Sequence, residues 1–171
     1  MGLRWSRIDF KKSTITVDSQ LIILRKKGGK RKLAPTKNEN TRTFRAANAV
    51  MSVLKEVKKQ QARNRLVAGS AWQNEIDDLV FTNIMGGTIP HSSVEHEFKE
   101  MVTAAGCQDH RFHDLRHSFA TAALRKHADV LTLSRNLGHS SVAFTLDVYR
   151  HVCEEMADDF ANLMDSIIAS H

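Results

Sequence analysis

The chain has 171 residues, 42% of them apolar, which is enough for a compact core and too hydrophobic for a disordered chain. Lys and Arg outnumber Asp and Glu by 25 to 19, a formal charge of +6 that favours a polyanionic partner without naming it. Cys107 and Cys153 lack CxxC spacing, no apolar run nears the ~18 residues of a membrane span, and Met1 to Trp5 lead into no signal-peptide core, so a reduced, soluble, cytoplasmic protein is expected.

Ser13 to Asp18 and Leu21 to Leu24 are rich in β-branched residues and predict strand, turn and strand. Basic residues then crowd a turn: Arg25, Lys26, Lys27, Lys30, Arg31 and Lys32 fill six of eight positions around Gly28-Gly29, and Leu33 to Lys37 lead into a further short strand. Residues Lys11 to Phe44 are thus expected to form a small antiparallel sheet. From Ala46 to about Leu66 the spacing of Val50, Val53, Leu54 and Val57 predicts an amphipathic helix with a lysine-rich outer face. Asn64 to Asn74 reads as a connection, Leu79 to Thr82 as a short strand and Met85 to Pro90 as a turn. A helix capped by Ser92 or Ser93 follows, with Val94, Phe98, Met101 and Val102 on one face, ending before Gly106. The remainder is helical over roughly His113 to Lys126, Asp129 to Leu137, Val142 to Tyr149 and Glu154 to Ile168. The expected class is α+β, mainly helical, with one hydrophobic core and a small antiparallel sheet near the N-terminus.

The chemistry concentrates in the second half. His113-Asp-Leu-Arg116 sets an imidazole and a guanidinium about one turn apart on a predicted helix face, where both can grip one anion. Arg offers a planar fork that matches phosphate oxygens, and His can donate to the same group or move a proton. His139 follows Gly138 at the start of the next helix, where backbone N–H groups also favour anions. Tyr149, the chain's single tyrosine, lies between Asp147-Val148 and Arg150-His151, a polar setting that suggests an accessible hydroxyl, although a lone tyrosine is also an ordinary core residue. His117, four residues past His113, has the spacing of a metal pair but no HExxH glutamate and no third ligand, so it is read as packing or orienting its neighbours and no metal is expected.

Two long segments, His113-Asp-Leu-Arg-His-Ser-Phe-Ala-Thr121 and Leu137-Gly-His-Ser-Ser-Val-Ala-Phe-Thr-Leu-Asp-Val-Tyr149, resemble the two motif boxes of the tyrosine recombinases, the phage-integrase family, and especially those of prophages and conjugative transposons. Gly2-Leu-Arg-Trp-Ser-Arg-Ile-Asp9 and Pro35-Thr-Lys-Asn-Glu-Asn-Thr-Arg-Thr43 are similar to the family's amino-terminal segment and its lysine-bearing hairpin, so the resemblance spans nearly the whole chain. It implies that Tyr149 attacks a scissile phosphodiester, that Arg116 holds its non-bridging oxygens, and that His113 and His139 donate hydrogen bonds or assist proton transfer. Lys37 would protonate the leaving 5′ oxygen, with Lys26, Lys27, Lys30 and Lys32 close enough on the hairpin to be alternatives. It further implies double-stranded DNA as partner, a homotetramer in the synaptic complex, a last helix that docks on a neighbour, and no cofactor. The basic cluster from Arg25 to Lys32 then suits phosphate-backbone contact.

One departure bears on activity. The family's other catalytic arginine lies in a Thr-Gly-Leu-Arg motif upstream of the segment matched by Gly2 to Asp9, so residues 1–171 are expected to be an N-terminally truncated catalytic domain without the arm-binding and core-binding domains. Arg4 belongs to the downstream segment and is not that arginine. The alternative expectation is a catalytically inactive DNA-binding fragment of a decayed prophage integrase.

Overall fold

A computed structural model describes residues 2–24, 30–36, 41–139 and 141–169, with only the backbone of Lys30, Cys153, Glu155, Met156, Asp158, Asp159, Phe160 and Leu163. Two compact units emerge, Met1–Glu97 and Phe98–His171. The single core expected from the pattern is instead two apolar clusters, one in each unit.

In the first unit, strands β1 (Ile8–Asp9), β2 (Thr14–Val17) and β5 (Arg42–Arg45) form an antiparallel sheet in the order β1-β2-β5, while β3 (Ser19–Leu24) and β4 (Lys30–Pro35) form a separate antiparallel pair. The turn from β1 to β2 is built by Asp9, whose carboxylate accepts the backbone N–H of Lys11 and Lys12 at 2.9 Å each. Alternation in β2 sends Ile15 inward while Thr16 meets Thr43 across the strands, hydroxyl to hydroxyl at 2.8 Å. Helix α1 (Asn48–Ala68) lays Met51 and Leu54, one turn apart, on Ile8, Ile15 and Val80. Leu79 to Thr82 makes only isolated bridges, Arg4 with Leu79 and Thr82 with Thr88, rather than the predicted strand. Asp78, at φ 69°, breaks the extended run just before it.

Helix α2 (His91–Ala104) spans the division between the units. It begins directly after Pro90, whose carbonyl accepts the Ser93 N–H, so Ser92 and Ser93 lie inside the first turn and neither caps it. Met101, predicted to face inward, is 65% exposed. The second unit continues with α3 (Asp114–Arg125), α4 (Val130–Leu137), α5 (Val142–Val148) and α6 (Arg150–Ala169). Asp129 caps α4 through the Thr132 N–H, and Ser141 caps α5 through the Phe144 N–H. Gly138 ends α4 at φ 71°, a left-handed position that suits glycine. Ala120, Leu124, Leu133, Leu137, Tyr149 and Val152 form the second core. Among the described residues, no helix is long and apolar enough to cross a membrane.

Candidate active site

Tyr149 occupies the break between α5 and α6. Its N–H closes the last turn of α5 on the Thr145 carbonyl at 3.1 Å, and its own carbonyl accepts the Val152 N–H at 3.0 Å to start α6. Its polar neighbours suggested an accessible side chain, but the residue is 2% exposed and packs in the core against Leu124 and Val152. Neighbouring positions on a helix point to different faces, so Asp147, Arg150 and His151 face solvent while Tyr149 turns inward. Burial pushes the phenol above its ordinary pKa, and the positive charge of Arg116 works against that shift.

The hydroxyl meets α3. Tyr149 Oη lies 3.1 Å from His117 Nδ1, and the two rings are 6.0 Å apart, centre to centre. His117 was expected to pack or orient neighbours, and its contact with Tyr149 is the feature of the site that residue-by-residue reading passed over. The available signal was spacing, since residue 117 stands one turn beyond residue 113. The His113 ring meets His117 edge to face at 5.5 Å and 78°.

Arg116, half-buried, donates to the carbonyl of Leu137 at the end of α4. Cations are favoured there because the last carbonyls of a helix lack intrahelical donors. His139, just past that end, shares a 2.7 Å hydrogen bond through Nδ1 with the hydroxyl of the fully buried Thr145. His113 precedes the first residue of α3, and Asp114 closes that end by pairing with Arg111 at 2.9 Å. This clamp holds the Asp114 carboxyl down at about 2, first through the Arg111 side-chain hydrogen bonds. The second unit thus brings Arg116, His117 and Tyr149 together, ties His113 to His117, and fixes His139 to Thr145, which stands one turn before Tyr149.

The predicted basic residues fare differently. Lys37, Arg25, Lys26 and Lys27 lie outside the described residues, and Lys30 is described only in its backbone. Lys32 is exposed on β4, whereas Arg31 is half-buried and donates to the hydroxyl of Thr88 at 2.9 Å. Arg4 pairs with Asp18 at 2.9 Å, and Arg7 reaches the same carboxylate at 2.6 Å. On the last helix, Met156, Phe160 and Leu163 are described only in their backbone, and Ile167 is exposed. Among the described residues no group of three His, Cys, Asp or Glu side chains is arranged to hold a metal ion.

The profile of the phage integrase family matches residues 1–156. A tyrosine recombinase XerC-like protein of Caldanaerobacter subterraneus is 32% identical over 161 residues, covering 89% of this chain and 41% of its own length. Tyrosine recombinase XerC of Pediococcus pentosaceus is 30% identical, covering 90% and 44% respectively. The chain therefore spans less than half the length of these relatives. Among solved structures, the Tn1549 transposon integrase in complex with transposon right end DNA superposes with a TM-score of 0.71 at 18% identity, over 94% of this chain and 53% of the other. XerA recombinase gives 0.65 at 22% identity, over 93% and 50%. These likenesses establish a shared fold.

Proposed function

The chain belongs to the phage integrase family, and from that premise we propose that it performs the strand-transfer chemistry of a site-specific DNA recombinase that integrates or excises a mobile element. Tyr149 Oη attacks the scissile phosphorus. The new phosphorus–oxygen bond forms as the bond to the 5′ oxygen breaks, leaving a 3′-phosphotyrosyl link and a 5′ hydroxyl protonated by Lys37. Arg116, His113 and His139 donate to the non-bridging oxygens. The pentacoordinate transition state carries more negative charge on those oxygens than the bound diester, so fixed donors lower the barrier rather than only tightening binding. The covalent link conserves the energy of the phosphodiester, so a second strand's 5′ hydroxyl can reseal the DNA without ATP or another cofactor.

The observation that carries this function is the meeting of the single tyrosine's hydroxyl with α3, beside His117 and within the field of Arg116. The Tn1549 integrase, of like fold, is described with DNA, which supports double-stranded DNA as the substrate here. Lys32 and the basic turn before it would grip the phosphate backbone. We extend the proposal to a DNA-bound homotetramer in the cytoplasm, with α6 docking on a neighbouring protomer. Ile167 and Ile168, 51% and 69% exposed on α6, supply apolar area for that contact.

The test is covalent trapping on a nicked suicide DNA substrate. The chain, its Tyr149→Phe variant, and the chain joined to the amino-terminal half of the Caldanaerobacter relative are compared. A denaturant-resistant protein–DNA adduct that disappears with Tyr149→Phe is the expected result. DNA binding without an adduct in either form would replace strand transfer with a binding role.

A further inference from the structure

A buried phenol is a poor nucleophile until something takes its proton. Tyr149 is 2% exposed, so bulk water has little access to it, and burial disfavours a free phenolate. Among the described residues its hydroxyl has one side-chain hydrogen bond, to His117 Nδ1 at 3.1 Å, which is within the reach required of a general base. Of the two histidines assigned to the phosphate, His113 sets its ring against His117 and His139 bonds Thr145 through Nδ1.

We propose that His117 accepts the Tyr149 hydroxyl proton as that oxygen attacks DNA, a step that rests on the strand-transfer function proposed above. Neutral His117 carries its hydrogen on Nε2 and leaves the Nδ1 lone pair toward Oη. The proton passes to Nδ1 as the oxygen electron pair forms the bond to phosphorus, and the 5′ oxygen leaves with its own electron pair and a proton from Lys37. In resealing, the 5′ hydroxyl gives its proton back to neutral Lys37 as its oxygen attacks the phosphotyrosine, and the His117 imidazolium returns its proton to the departing phenolate. The charged or titratable groups around His117 fit this cycle. On α3 and at its two ends these are His113, Asp114, whose carboxylate is attracted to a cationic His117, Arg116, whose charge acts on Tyr149, and Arg125 and Lys126, which line the same open cleft; from the α5–α6 break comes Tyr149.

Two measurements test it. Because the chain has one tyrosine, a protein labelled with carbon-13 at tyrosine Cζ gives a single line, and its position should step with pH as the imidazole bonded to the hydroxyl gains or loses its proton. The step should vanish in His117→Gln, which keeps an acceptor but cannot ionise. In whichever form of the protein traps DNA, His117→Gln should slow adduct formation by about 10²-fold or more. A substrate with sulfur in place of the bridging 5′ oxygen, whose leaving group needs no proton, should not relieve that deficit. His117→Ala should be partly rescued by free imidazole entering the cleft beside Ser118 and Thr121. A tyrosine line without the step, or a step that survives in His117→Gln, overturns the hydrogen-bonded pair. Equal trapping rates with and without His117 overturn its role as proton acceptor. Failure of every unsubstituted form to trap, with the step intact, sinks the strand-transfer function and reduces the pair to a structural contact.

Discussion

Replacing Thr145 by Val isolates one hydrogen bond in the site. Thr145 is fully buried, its hydroxyl is 2.7 Å from His139 Nδ1, and Val has nearly its shape. The lost bond costs about 0.5–1.5 kcal/mol of stability, while the methyl that replaces the hydroxyl returns about 0.8 kcal/mol of apolar burial. The net change should stay within about 1 kcal/mol, or ~2–4 °C in melting temperature for a chain of this size. Activity should respond far more. An imidazole displaced by about 1 Å from a reacting phosphate can cost ~10²-fold in rate. Single-turnover adduct formation and a thermal melt on the same samples separate the two effects, and Thr145→Ser, which keeps the hydroxyl, should remain within a few-fold of the unsubstituted protein. If Thr145→Val forms adduct at the unsubstituted rate, or if Thr145→Ser falls equally far, Thr145 does not position His139.

Acid should act on the start of α3. The Asp114 carboxyl is held at about 2 in the folded chain against 3.8 for the free group, so its contribution is complete above pH 3.8 and is lost as the pH falls through 2. Asp114→Asn should flatten that part of the stability curve, and a carboxyl that titrates near 3.8 by NMR would remove the basis for it. Gly86→Ala should destabilise the first unit by about 2–4 kcal/mol, because φ is 83° and an added Cβ would stand 2.3 Å from the Trp72 ring. Denaturation followed by tryptophan fluorescence would check this, and a change under about 0.5 kcal/mol would refute it. Lys32→Ala should weaken DNA binding on every sequence alike and lower the salt slope by about one. Arg31→Ala should also lower stability, since Arg31 holds Thr88; equal melting temperatures for the two variants would show that bond to be idle.

Features that depend on short-range chemistry were legible in the sequence. Asp129 and Ser141 mark the starts of α4 and α5, Gly138 marks the end of α4, and the β-branched run at Thr14 to Val17 is a strand. The motif boxes pointed to the family that the profile match and the relatives bear out. Features set by distant partners were not legible. The inward turn of Tyr149 depends on Leu124 and Val152, which its polar flanks conceal. The segment from Leu79 to Thr82 has strand composition, but its backbone neighbours are Leu3, Arg4 and Thr88, too short a stretch for a ladder. Ser92 and Ser93 have the chemistry of caps, yet the carbonyl of Pro90 opens the helix two residues too early for the first and three for the second. His117 was visible as a residue, but its meeting with Tyr149, 32 positions away, is a product of folding.

The bond from Arg116 to the Leu137 carbonyl also bears on the entropy of catalysis. A free arginine side chain samples many rotamers, and confining it costs up to about 2 kcal/mol. Here folding has already confined it by tethering one arm of the guanidinium to the end of α4. In the proposed reaction, an incoming phosphate would therefore meet a side chain whose freedom is already restricted, and less of the binding energy would be consumed in ordering it. An arginine shortened to lysine would keep its charge and lose the planar fork that allows one arm to be tethered while others engage phosphate, so its mobility would return at the moment of the reaction.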